Sequence, residues 1–475
     1  MRYLLFGTGD YYNRYKKWFS KDEIVALLDN SKTKQNTLID GIKVCSPEEG
    51  IKLGYDKIII LSFYVKAMKQ QLLELGVAEK CILHFYDLHQ IIDVKKFPNN
   101  ILYFRADDAG TEDESGLKKV LLLSQDLTLG GPSIALMHVA EVLHRRGVSV
   151  VYGSMLNGPL REKLLKKGIS VVVDERLQIA TMNEIDWVQD FSLILCNTIN
   201  FHVFLSSRNT DIPIAWWLHD SLFFYDGIRQ QVLENIDRNN LQVLSVGPVP
   251  KKAIQNFLPD LEVGELLYGV EDVTQMDIGR VTLKNENKDK ICFVTIGYIE
   301  ARKGQDILLA AITRLPGKER ERAIFYLVGQ DSSVMAQQIK CEIDDVPEMV
   351  VTGVVSREKI DEILESADVL LCPSREDPMP TVAAEAMMHA VPCIVSDATG
   401  TASYIEDGVD GLVFASEAVD ELAQKIEWCI INRDKLTGMG SKARGLYEKV
   451  FSMKAFEKNL LKVMGADRLY EQTNM

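Results

Sequence analysis

Three times along the chain a short apolar strand runs into a glycine turn and then into a helical segment. Residues 2–6 lead into Gly7-Thr8-Gly9, the run VLLLSQD after Lys119 leads to Gly130-Gly131-Pro132-Ser133, and ICFVTI at 291–296 leads to Gly297. Strands buried on both faces read as unbroken apolar runs, and parallel strands need a crossover, usually helical. The repeated order therefore restricts the chain to doubly wound α/β units built on parallel sheets. Further strands are expected at 24–28, 57–61 and 81–85 in the first unit, and at 192–196, 214–218 and 243–246 in the second. The third adds 323–328, 349–352, 369–371 and 392–396, and helices are expected at 66–75 and 134–146.

Two polar stretches punctuate this pattern. Residues 106–114 (ADDAGTEDE) carry five acidic side chains in nine and read as a solvated linker, whereas 276–290 is lysine-rich and suits a hinge. The expected division is 1–105, an accessory domain; 106–117, an acidic linker; 118–285, a first core domain; and 286–475, a second core domain with closing helices. Three domains agree with 475 residues at roughly 100 to 200 per domain. The acidic linker is expected to keep the first domain tethered but separately folded.

The formal charge of −14 disfavours wrapping a polyphosphate backbone, so nucleic acid is not expected as a partner. The eight cysteines are scattered without a CxxC pair and mostly within apolar runs, which reads as reduced core thiols rather than zinc ligands or a disulfide framework. No apolar stretch reaches ~18 residues and no signal-peptide pattern opens the chain, so a cytoplasmic protein is expected. The basic residues His144, Arg145, Arg146, Arg161, Lys163, Lys166 and Lys167 offer either a solvated helix face or a peripheral contact with the inner face of a membrane.

Several motifs carry chemistry. Gly7-Thr8-Gly9 with Asp29 resembles the start of a dinucleotide fingerprint, but Tyr12 stands where a small residue lets helix and sheet close, so a turn without NAD is expected. Gly130 and Gly131 precede a helix whose first amides can meet an oxygen of a ligand, or they simply supply a strand-to-helix turn. His219, in the sequence WWLHD, ends a strand and so faces the ligand crevice of a parallel sheet; the alternative is a satisfied core histidine. Arg302 and Lys303 follow the strand at 291–296, where two cations can neutralise a diphosphate. The segment Asp377-Pro378-Met379-Pro380-Thr381-Val382 leads into Ala383-Ala384-Glu385. It sets one carboxylate in a loop and another about a turn into a helix that Pro380 helps to start.

These residues resemble retaining glycosyltransferases of family 4, with the GT-B fold of two facing Rossmann-like domains. The likeness covers about three quarters of the chain and is most specific from 296 to 414. The resemblance implies that the C-terminal core domain binds a nucleotide-sugar donor and the N-terminal one a glycan, lipid-linked or protein acceptor. The family's E-x7-E signature falls on Asp377 and Glu385, its diphosphate-binding lysine on Lys303, its glycine-rich turn on Gly130 and Gly131, and its sugar-contacting histidine on His219. Met379, Pro380, Thr381 and Val382 fall at the donor-binding helix start. Two positions depart from the pattern: the first Glu is Asp377, and the arginine that commonly follows the glycine is Tyr298, with Arg302 nearby as a substitute.

The implied reaction is transfer of a hexosyl or N-acetylhexosaminyl group, with retention, from a UDP-sugar, without metal or other cofactor, in bacterial surface glycan or glycoprotein synthesis. A non-catalytic GT-B partner subunit, a GT-B epimerase or phosphorylase, and an oxidoreductase built on the first domain are the competing readings. The first hundred residues look like the small Rossmann-like domain of surface-polysaccharide enzymes and sugar acyltransferases.

Overall fold

A computed structural model describes residues 1–97, 100–106, 119–274, 289–330, 333–343 and 346–464. Most of the linker at 106–117 and of the hinge at 276–290 lies outside the described residues.

The accessory sheet contains β1 (Tyr3–Phe6), β2 (Ile24–Leu28), β3 (Leu38–Ile39), β4 (Ile42–Cys45), β5 (Lys57–Ile60) and β6 (Ile82–His84), in the order β3-β4-β2-β1-β5-β6. All its pairs are parallel except the β3–β4 hairpin. The second sheet takes β7 (Leu102–Phe104), β8 (Lys119–Ser124), β9 (Ser149–Ser154), β10 (Ser170–Val173), β11 (Leu193–Asn197), β12 (Ile214–Leu218), β13 (Leu241–Ser245) and β14 (Gly264–Glu265). Their order is β14-β13-β12-β11-β8-β9-β10-β7. The third has β15 (Ile291–Ile296), β16 (Ala323–Val328), β17 (Met349–Gly353), β18 (Val369–Cys372), β19 (Cys393–Ser396) and β20 (Leu412–Phe414), ordered β17-β16-β15-β18-β19-β20 and parallel throughout. In both core sheets the strand order reverses beside the first long strand, at β8/β11 and β15/β18, which is where an open α/β sheet leaves a crevice for ligands.

Two boundary expectations are corrected. Residues 102–104 do not end the accessory domain: β7 pairs antiparallel with β10 and forms an edge of the second sheet. Nor is the accessory domain separately folded. A single apolar cluster runs from Tyr3, Leu5, Tyr15 and Phe85 to Leu121, Ile194 and Trp216 of the second sheet. Across the same contact Tyr86 Oη donates to Asn200 Oδ1 at 2.9 Å, Arg14 Nε donates to Gln178 Oε1 at 2.6 Å, and Phe63 packs edge-on to Phe224. Burying this apolar surface is favourable at about 25 cal/mol per Å², so the two units are held as one body.

The dinucleotide-like turn is occupied by its own chain. Tyr12 is buried and its hydroxyl donates to Asp40 Oδ2, while Tyr11 packs against Phe63 and Phe85. Asp29 accepts from the Thr8 hydroxyl and from the Ser31 amide, with Lys34 Nζ 3.5 Å away, which fixes the turn internally.

The two core domains are tied from both directions. The strap after β14 passes Tyr268, whose hydroxyl donates to Pro380 O at 3.1 Å, and the helix Met453–Val463, the last among the described residues, returns to the first core domain. There Glu457 pairs with both Arg145 and Arg146, and Phe456 stacks on Trp217. Among the described residues no helix is long and apolar enough to cross a membrane.

Candidate functional site

Lys303 follows β15 and Asp377 follows β18, so adjacent strands deliver both to the mouth of the same switch point. Gly304 sets their approach. At φ +68° it adopts a left-handed conformation, and a Cβ there would overlap the carbonyl of Pro373, so only glycine lets the two loops touch. Lys303 Nζ lies 2.5 Å from Asp377 Oδ2. The Asp377 carboxylate is buried, and the loop behind it is pinned by the Gly400 amide, which donates to Asp377 O at 3.0 Å.

Arg302 is committed elsewhere. Its Nη2 donates to Glu300 Oε1 at 2.7 Å and its Nη1 to Glu376 O at 3.1 Å, so it ties the loop after β15 to the loop after β18. Tyr298, at the position of the missing arginine, is 63% exposed.

The helix Thr381–Met388 begins beside this pair, with Pro380 as its N-cap and no side-chain cap, which leaves its first amides open. Across the cleft the helix Gly131–Arg145 begins at Gly130, also without a side-chain cap. A Cβ on Gly131 would lie 3.6 Å from Thr381 Cγ2, so the two helix starts face each other at close range. Met379 extends the contact, since a Cβ on Gly247 of the first core domain would overlap its terminal methyl. Val382 is half-buried at the same helix start.

Next to these helix starts is a cleft of about 340 Å³ between the core domains, with Gly131, His138 and Lys163 on one side and Thr381, Glu385 and Arg357 on the other. Glu385 is buried, as its alanine-rich surroundings suggest, and Arg357 Nη2 lies 2.8 Å from its Oε1. A second cleft, of about 660 Å³, lies between Leu222, Phe223 and Lys252 of the first core domain and Arg375, Glu376 and Thr399 of the second.

His219 lines neither of these clefts. It ends β12 with its ring edge-on to Trp217, its Nε2 buried without a hydrogen-bond partner, and burial pulls its pKa down to about 3. It is therefore a neutral ring at neutral pH, able to exchange hydrogen bonds with a hydroxyl but not to supply a cation. Burial pushes its neighbour Asp220 up to about 7, against hydrogen bonds from the Ile199 and His219 backbone. The hydroxyl of Ser221 is also buried and unpartnered.

Sequence reasoning did not single out Arg357, Asp361, Lys163 as a cleft residue, or Tyr268. The only local signal for the first two is a capped helix start, Ser356 accepting from Lys359 N, with a carboxylate four residues after Arg357. The basic face at 144–167 is partly neutralised: besides the Glu457 pairs, Arg161 meets Glu162 and Lys167 meets Glu141.

Two parallel α/β domains, tied by a strap and a returning helix and facing each other across a cleft lined by glycine and helix N-termini, define the GT-B architecture. Residues 281–446 match the family described as glycosyl transferases group 1, and 116–246 match glycosyl-transferase family 4. Together these span well over half of the chain, which belongs to the family 4 glycosyltransferases. Residues 1–83 match a separate family, C2185-like, N-terminal. Among curated relatives, D-inositol 3-phosphate glycosyltransferase of Nocardia farcinica is 26% identical over 155 residues, 31% of this chain and 34% of that protein. Lipopolysaccharide glucosyltransferase WaaG of Escherichia coli is 27% identical over 138 residues, 27% of this chain and 35% of that protein. The matched stretches thus span about a third of those relatives' own lengths. The structure of Anabaena HepE in complex with UDP and glucose superposes with a TM-score of 0.61 at 19% identity, covering 74% of this chain and all of that one.

Proposed function

We propose that the protein transfers a sugar, with retention and without a metal, from a UDP-sugar to a glycan carried by a lipid or a protein, working in the cytoplasm. The observation that carries this reading is the Lys303–Asp377 pair at an uncapped helix start, with Glu385 one turn further in. Lys303 and the amides around Thr381 hold the diphosphate, Asp377 accepts from sugar hydroxyls, Glu385 accepts from the ribose hydroxyls, and His219 meets the sugar as a neutral ring. Gly130 and Gly131 let the opposite backbone approach the donor. Arg302 contributes indirectly, by fixing the loop that presents Lys303.

In the reaction the bond from the anomeric carbon to the β-phosphate oxygen breaks, and the acceptor oxygen bonds to the same face of that carbon. The acceptor proton passes to the leaving phosphate. Charge growing on that phosphate is met by Lys303 and the helix amides, which are fixed before the reaction begins and so need little reorganisation. The second, wider cleft, with Leu222 and Phe223 exposed to it, is the acceptor side. The test is a screen of UDP- and GDP-sugars for donor hydrolysis with mass spectrometry of the products. Hydrolysis of a UDP-sugar that is lost in Lys303→Ala supports the reading, and hydrolysis of none of them rejects it.

A further inference from the structure

Glu385 has a partner within the chain. Arg357 opens the helix Arg357–Ser366, and its long side chain crosses to Glu385, 2.8 Å from Nη2 to Oε1. One turn along its own helix stands a second carboxylate. Asp361 Oδ1 is 3.8 Å from the same Nη2, buried, and without a hydrogen bond. Its other neighbour, His389 Nε2, is 3.7 Å away and equally unbonded. The guanidinium therefore stands between two carboxylates, bonded to one and just beyond reach of the other, and Arg357, Asp361 and Glu385 all line the 340 Å³ cleft.

A buried carboxylate oxygen without a donor is unusual in a folded protein and calls for an explanation. Resting on the reading that Glu385 accepts from the donor ribose, we propose that Arg357 is a two-position latch on the donor site. It bonds Glu385 in one position and Asp361 in the other, and a bound nucleotide favours the second. The ribose hydroxyls then donate to Glu385 in place of the guanidinium. The guanidinium closes a gap of about 1 Å to reach hydrogen-bonding distance of Asp361, whose bare oxygen gains the donor it lacks. The cation stays beside both carboxylates, so the exchange changes hydrogen-bond partners without stranding a charge. An arginine with a carboxylate at i+4 is suited to this, because the two side chains share one helix face.

A latch lowers apparent affinity by the fraction of time the competent state is populated, and Asp361 sets that fraction. Calorimetric titration of the full chain with UDP, GDP, dTDP, CDP and ADP identifies the tightest nucleotide, which serves as the probe. Asp361→Asn, which removes the charge that receives the guanidinium, weakens binding roughly fivefold, whereas Arg357→Gln tightens it about threefold. In the Arg357→Gln background Asp361→Asn adds no further loss. The proposal is overturned if Asp361→Asn costs the same with or without the arginine, or if Arg357→Gln weakens binding as Glu385→Ala does. Failure of the ribose assignment has a different signature, namely affinity that survives Glu385→Ala. If no nucleotide binds the native chain, both readings fall together. Should Asp361→Asn not fold, the Arg357 Nε resonance of the native protein supplies the same answer: it shifts on nucleotide binding if the guanidinium changes partner, and an unmoved resonance rejects the latch.

Discussion

Lys303 and Asp377 are 74 residues apart in sequence, and Nζ of one lies 2.5 Å from Oδ2 of the other. They meet because β15 and β18 are neighbours at the point where the third sheet reverses its strand order, and because Gly304 lets the two following loops touch. Each neutralises the other. On the proposed reading a donor diphosphate shares the ammonium and the sugar shares the carboxylate.

Lys303→Ala removes a charge-assisted contact to phosphate in a partly dry cleft, a contact worth on the order of 1.5 to 3 kcal/mol. Nucleotide diphosphate affinity is expected to fall about tenfold or more in calorimetric titration. Binding equal to that of the native protein removes Lys303 from the donor site.

Asp377→Ala and Glu385→Ala are expected to separate. The first lowers turnover while free nucleotide binds at least as well as before, since Lys303 loses the carboxylate that competes with phosphate. The second weakens nucleotide binding and turnover together. Indistinguishable titration curves for the two variants contradict this division of labour.

Acid stability follows from the buried histidines. Burial pulls His84 down to about 3, His202 to about 4 and His219 to about 3. Each is neutral in the folded chain, whereas the unfolded chain takes up protons below the ordinary value of 6.5. Their contribution is fully present above that value and is lost as pH falls toward the folded values. Asp220 opposes them: raised from 3.8 to about 7, it holds a proton that the unfolded chain releases, so its contribution is lost as pH rises between those values. Burial also pulls His138 down and raises Asp410, so the lowered histidines outnumber the raised carboxyls, and the melting temperature drops on acidification from about pH 6.5 to about pH 4, with a shallower slope in His202→Gln. A flat profile over that window refutes the assignment.

Removing the accessory domain exposes the aromatic surface around Trp216 and Phe224 that Phe63, Phe85 and Tyr86 cover. A chain starting at Lys119 is therefore expected to aggregate, and a soluble, monomeric product in size-exclusion chromatography contradicts the shared core. The full chain is expected to show no saturable NAD binding, because Tyr11, Phe63 and Phe85 fill the turn region and Asp29 is held by Thr8 and Ser31.

Glu457 cancels one of the two charges of Arg145 and Arg146, which halves what that pair offers to a bilayer. Flotation with anionic liposomes at low salt is expected to leave the protein in the soluble fraction. Salt-sensitive flotation that is lost in a variant with Lys163 and Lys166 neutralised is the opposing outcome.

The sequence by itself determined most of the strands and which charged residues stand at their ends. Apolar runs such as Ile291–Ile296 and Ala323–Val328 are strands with the expected bounds, because fully buried parallel strands leave an unmistakable local pattern. Lys303 and Glu385 were legible for a similar reason: a cation at a strand end and a carboxylate among alanines are local anomalies. The tertiary structure decided what no local pattern encodes. Strand order together with Gly304 brings Lys303 to Asp377, long-range pairing puts Leu102–Phe104 in the second sheet, and side-chain packing joins the accessory domain to the next one through a continuous core. It also turns Arg302 away to Glu300 and sets Arg357 between Glu385 and Asp361, because the partner of a long charged side chain is fixed by which loops and helices pack beside it, and that depends on contacts distant in sequence.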